Sequence, residues 1–236
     1  MQPHPVSKLL IPTLLGGLST LAACAPPTAP TGDELVAQFP SVGANSARPE
    51  NVRVLCPFQR MLERAGIYDE ELSTSDTVTV GTVTDASEVF GCARGSCGPV
   101  ANQVSVGQGH RGEIDLEALN HADGISHECG LTFDYGGAQV SDAARDATLA
   151  RLAELADGDG HLAFAALRAV KEEICAAQAV EMTSAGEIEI RLIYAYLGGV
   201  EHGFISLSDV GRFLHATMPE TKTDQWVNSA LLSQVQ

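Results

Sequence analysis

Apolar positions first gather in one run near the start of the chain and then recur at helical spacing. Residues 9–23 are apolar apart from Pro12, Thr13, Gly16, Gly17, Ser19 and Thr20. Such a run is too short and too interrupted to cross a hydrocarbon core of roughly 30 Å as a helix, and it reads as a secretory signal. Further on, Phe58, Met61, Leu62 and Ala65 fall on one helical face between Pro57 and Gly66. Proline suits a first helical position and glycine a helix end. A short helix is predicted over 115–122, with Leu116 and Leu119 inward. Ser141 is a candidate N-cap for 142–155, where Ala144, Leu149, Leu152 and Leu155 form the apolar stripe. An alanine-rich helix is expected over 162–180 and another over 187–197, ending at Gly198 and Gly199. The pair Ser206 and Asp209 resembles a capping box opening a helix over 207–218, and a last helix over 224–234 carries Trp226. Valines at 78, 80 and 83 predict one strand or extended stretch over 77–84, and the glycine-rich residues 91–113 predict a loop. The fold class expected is mainly α: a single helical domain over 51–236 with little β.

The apolar run ends in Leu21-Ala22-Ala23-Cys24. An apolar residue, two small residues and then a thiol form the lipobox pattern, so 1–23 is expected to be removed and Cys24 lipidated. Acyl chains anchor a protein through about 0.8 kcal/mol per buried CH₂. Residue 25 is alanine rather than the aspartate of inner-membrane retention, which points to the periplasmic face of the outer membrane. Between 24 and 50, Pro26, Pro27, Pro30, Pro40 and Pro49 recur among small and polar residues, the composition of an extended or disordered tether. The formal charge of −16 becomes −17 when Lys8 leaves with the signal. A surface that acidic argues against nucleic acid or anionic lipid as a partner.

Charge excludes partners, whereas the cysteines suggest chemistry. There are six: Cys24, Cys56, Cys92, Cys97, Cys129 and Cys175. Lipidation of Cys24 leaves five in an oxidising compartment, an odd number, so at least one thiol is unpaired. Cys92 and Cys97 flank a small glycine-containing stretch that can close as a local disulfide; zinc ligation by the same two lacks a matching second pair nearby. Cys129 with Cys175 is the candidate second pair, which leaves Cys56. That residue precedes Pro57 at a predicted helix start, where backbone amides and the helix dipole favour a thiolate. It is a candidate nucleophile, redox centre or iron ligand, and the plainer reading is a buried or paired structural cysteine. In the segment 114–132, His127 and Glu128 form an adjacent pair suited to proton transfer, or simply solvated polar residues past a helix end. Residues 157–161 begin like a calcium loop, but Leu162 replaces the turn glycine and Arg168 the terminal glutamate.

Three segments in order resemble the haem-thiolate peroxidases of the chloroperoxidase and unspecific peroxygenase type. Leu55-Cys56-Pro57-Phe58 with Arg64-Ala65-Gly66 is similar to that family's Pro-Cys-Pro helix; residues 114–131 are similar to its segment bearing Glu-His-Asp; and 187–218 are similar to its closing region. The resemblance implies haem b with Cys56 as the proximal iron ligand, hydrogen peroxide as oxidant, and a small organic molecule or halide as substrate. It implies Glu189 as the acid–base residue, with Glu187 as the alternative, and His127 orienting it by a hydrogen bond. The family's metal-binding glutamate corresponds to Ser126, its aspartate to Glu128 and its serine to Gly130, so two side-chain ligands for magnesium are missing unless Glu128 substitutes. A non-catalytic envelope binding module on the same helical scaffold is the alternative function. A thiol redox protein is the third, without a resolving cysteine two or three residues from Cys56.

Overall fold

A computed structural model describes residues 28–122, 129–133, 137 and 139–236. The chain is mainly helical. In order it forms α1 (Gly32–Gln38), α2 (Pro57–Arg64), α3 (Asp69–Leu72), β1 (Val78–Thr79), α4 (Val80–Val89), α5 (Arg94–Gly107), β2 (Glu113–Ile114), α6 (Asp142–Leu155) and β3 (His161–Leu162). It continues through α7 (Phe164–Ala177), α8 (Ser184–Tyr196), α9 (Gly199–His202), β4 (Ile205–Ser206), α10 (Leu207–Leu214) and α11 (Ser229–Leu232). The strands make two short antiparallel ladders, β1 with β2 and β3 with β4. The main apolar core runs from Leu35 to Val235 and draws on nearly every helix, and Leu55, Phe133 and Val140 form a small separate cluster.

Local chemistry explains the helix starts. The Ser141 hydroxyl accepts from the Ala144 amide and opens α6, and Ser206 does the same for Asp209 and α10. Pro57 takes the first position of α2. Helix α7 buries Leu167, Val170, Lys171 and Cys175, and α8 buries Ile190, Ile193, Tyr194 and Tyr196. Phe164 meets Tyr194 edge-on at 5.4 Å, which fixes the two helices against each other.

Several expectations need correction. The stretch 77–84 is a strand only at Val78–Thr79 and then turns into α4. Thr79 caps that helix by accepting from the Thr82 amide, and Val83, Ala86 and Phe90 reach the core at helical intervals. Valine and threonine favour strands, but burial of one helical face outweighs a propensity of that size. The glycine-rich stretch is not a loop throughout. It holds α5, which packs on α4 through Ala101 and Val104 and contains Pro99. The helix predicted at 115–122 is only a 3₁₀ turn at Leu119–His121, and helix in 224–234 is confined to α11.

The flexible tether is also corrected. From residue 28 onward, 24–50 is docked. Thr31 and Glu34 form a capping box that opens α1, Leu35 is 1% exposed, and Val42 is wholly buried and accepts from the Met218 amide. Of its described prolines, Pro40 opens a 3₁₀ helix and Pro30 and Pro49 lie in irregular chain, where they need no amide, so the composition of a linker coexists with anchoring apolar residues. Among the described residues no helix is long and apolar enough to cross a membrane.

Candidate functional site

Cys56 is the N-cap of α2, with extended backbone (φ −69°, ψ 115°). The residue keeps some accessible surface. Its thiol is nevertheless enclosed enough that burial pushes its pKa up; the amides of Gln59 and Phe58 and the charge of Arg60 pull the other way, and the charge of Glu189 raises it further. The structure joins Cys92 to Cys97 and Cys129 to Cys175, with Cα separations of 6.1 and 5.0 Å that suit disulfides. Cys56 is the free thiol among the described residues.

Four residues after Cys56, Arg60 lies fully buried on the same face of α2. Its guanidinium donates to the carbonyls of Val54 and Leu55 at 2.9 Å and of Leu214 at 2.8 Å, and its Nε faces Glu50 Oε2 at 3.2 Å. The strand of chain delivering Cys56 is thus tied to α2 and to the end of α10. Arg145 reaches the same Leu214 carbonyl and Glu50 Oε1, at 3.1 and 2.7 Å. Two buried guanidiniums therefore share one carboxylate and both donate to the Leu214 carbonyl, the last of α10. Sequence reasoning missed Arg60, although an arginine on an otherwise apolar stripe was a visible signal.

Helix α8 places the two candidate carboxylates differently. Glu187 faces Arg191 at 2.9 Å and Arg168 at 3.5 Å. Glu189 points inward, with its side chain 16% exposed, and meets Lys171 Nζ of α7 at 2.5 Å; Lys171 is wholly buried. A charge-assisted bond of that kind is strong, because both groups are withdrawn from water. Of the two, Glu189 is the one whose charge acts on Cys56. Lys171 was also missed. It lies four residues after Leu167 and four before Cys175 on the buried stripe of α7, where a lysine needs a partner. Gly186 of α8 packs beside it, since a Cβ there would sit 3.4 Å from Lys171 Cε.

Other expected site residues are not brought into this cluster. Cys24 lies outside the described residues, as do Ser126, His127 and Glu128. Gly130 is described: a Cβ on it would fall 1.8 Å from the Phe133 ring, so the space a serine would need is filled by that ring. Asp157, Asp159 and His161 gather their ligand atoms within 4.8 Å of one another on the surface, with His161 Nδ1 3.3 Å from Asp157.

The donor chemistry at Cys56 would suit a thiolate ligand to iron: one free sulfur at a helix start, with the amides of Phe58 and Gln59 and the buried Arg60 nearby. Among the described residues, clefts lie elsewhere. One of about 350 Å³ is lined by Phe133, Val170, Ile174 and Gln178, and one of about 380 Å³ by Arg48, Glu50, Arg64 and His215; neither wall includes Cys56 or Glu189. No known family model and no curated protein matches the chain.

Proposed function

We propose that the domain is a haem-thiolate peroxidase or peroxygenase-type enzyme, held at the cell envelope through Cys24, that uses hydrogen peroxide to oxidise a small organic molecule or halide. The observation that carries this reading is the free Cys56 at the N-terminus of α2. A bound haem would supply the iron at which peroxide is split, with a thiolate ligand favouring that cleavage. The protein's part is to hold and position. The amides of Phe58 and Gln59 and the charge of Arg60 favour the thiolate over the thiol, and ligation by a metal would complete the deprotonation that burial opposes. Arg60 fixes the chain at Val54 and Leu55, so the sulfur is presented on a rigid element. Glu189 is the group for carrying a proton, and Lys171 holds its carboxylate in place.

Supplying haem during expression and recording the absorption of the purified chain tests the reading. A Soret band that disappears in Cys56→Ala is the expected result, and its absence from the native chain would overturn it. In haem-loaded protein, Glu189→Gln is expected to lower turnover by about 10²–10⁴-fold, with the Soret band kept.

A second reading is favoured by a different observation. Glu189 is locked by Lys171, and neither cleft adjoins Cys56. On that reading the scaffold is a non-catalytic envelope binding module, and the native chain takes up no haem.

A further inference from the structure

The docked segment ends close to the proposed anchor. Ala29 is 2% exposed, and its amide donates to the Asp224 carbonyl at 2.8 Å. Lys222 Nζ donates to the Pro30 carbonyl at 2.9 Å, and Gly32 lies against Pro219, where an added Cβ would come within 3.1 Å of the carbonyl oxygen. The chain is therefore fixed to the domain from Ala29 onward. Only residues 25–27 separate Cys24 from Thr28. Whatever their conformation, the five Cα steps from Cys24 to Ala29, the first fixed residue, reach no further than about 19 Å. A domain of about 200 residues has a radius of gyration of roughly 17 Å, so the leash is less than half the width of the body it holds. The headgroup zone of one leaflet, roughly 5–7 Å deep, takes up part of that reach.

We propose that the end of the domain around Ala29 lies against the lipid headgroups, so that the anchored protein presents one fixed face to the membrane. This rests on the reading that Cys24 is lipidated. The face is defined by what surrounds Ala29. The Gly91 turn between α4 and α5 is there, since an added Cβ would meet Ala29 Cβ at 3.4 Å. The stretch 222–227 is there too, with the Val227 amide donating to the Gly91 carbonyl at 2.9 Å. Val89, 38% exposed, comes two residues before that turn. The rim is acidic, with exposed Asp33, Glu34 and Asp224, so attraction to anionic lipid does not hold it there. Leash length does, and the contact is one with a zwitterionic headgroup layer.

Trp226, the single tryptophan, lies in this stretch and reports on it. The full chain, acylated in cells, is placed in phosphatidylcholine vesicles containing a lipid with a spin-labelled headgroup, and mass spectrometry establishes the acyl groups on Cys24. A second chain carries about 20 Gly/Ser residues inserted between Pro27 and Thr28, which extends the mean reach to roughly 25 Å and is expected to relieve quenching of Trp226 by about twofold. Matching thermal unfolding of the two chains shows that the insertion leaves the fold intact. Strong quenching in the native chain, relieved by the insertion, is the predicted result. An acylated native chain whose Trp226 is unquenched, or quenched equally in both, overturns the fixed face and leaves lipidation standing. A chain without acyl groups overturns lipidation, and the inference with it.

Discussion

At the scale of single residues, Cys56 and Glu189 carry the account, and each is defined by a neighbour. The thiol of Cys56 is pushed above its ordinary range, first by burial and also by the Glu189 charge. The folded state therefore holds its proton at pH values where the unfolded thiol, with a pKa of about 8.5, has lost it. Between those two values the folded chain binds more protons, so this thiol's contribution to stability falls as pH rises above about 8.5. Denaturation midpoints of the native chain and Cys56→Ala are expected to converge or cross toward the variant's favour as pH rises from 7 to 10, since only the native chain loses this contribution. A pH-independent difference would show that the thiol is not shifted. Glu50 is the second critical residue, because Arg60 and Arg145 share it. Glu50→Gln leaves two buried guanidiniums without their common carboxylate. It is expected to cost about 3–5 kcal/mol in denaturant titration, and a loss under 1 kcal/mol would show that the backbone carbonyls suffice.

At the scale of elements, the docked N-terminal segment departs most from its composition. Leu35→Ala is expected to destabilise the domain by about 2–5 kcal/mol, the usual cost of emptying a core site; a flexible tether would give no change in the unfolding midpoint. Elements with both a cap and a stripe were legible in the sequence. Ser141 and α6, Pro57 and α2, and Ser206 and α10 each combine a start signal with apolar residues at helical intervals. Elements set by tertiary context were not. Helix α5 is built from Gly95, Gly98 and Pro99 among poor helix formers, and its place comes from the Cys92–Cys97 disulfide and its packing on α4. Helix α4 reads as a strand because Val80, Thr82 and Thr84 are β-branched, and helical burial overrides them. In the candidate site, Cys56 was legible from cysteine arithmetic, and Glu189 only from a family resemblance. Arg60 and Lys171 were overlooked because a charged residue on a buried stripe has meaning only once its partner on another element is known.

At the scale of the whole molecule, the parts combine into one helical body in which the disulfide from Cys129 to Cys175 ties the segment after 128 to α7, the helix that supplies Lys171 to Glu189. Arg60 and Arg145 join α2, α6 and the end of α10 from the opposite direction. The free thiol thus sits at the start of one of three helices that are tied together, as a pre-organised ligand site requires. The central claim is that Cys56 is an iron ligand, and ligand identity has a direct spectroscopic signature. Protein made with haem available should be reduced, exposed to carbon monoxide and compared with Cys56→Ser. The account predicts a Soret band in the native chain shifted well to the red of that of a histidine-ligated haem, and lost in the variant. A native chain that binds no haem, or one whose carbon-monoxide spectrum is the same in Cys56→Ser, would contradict it.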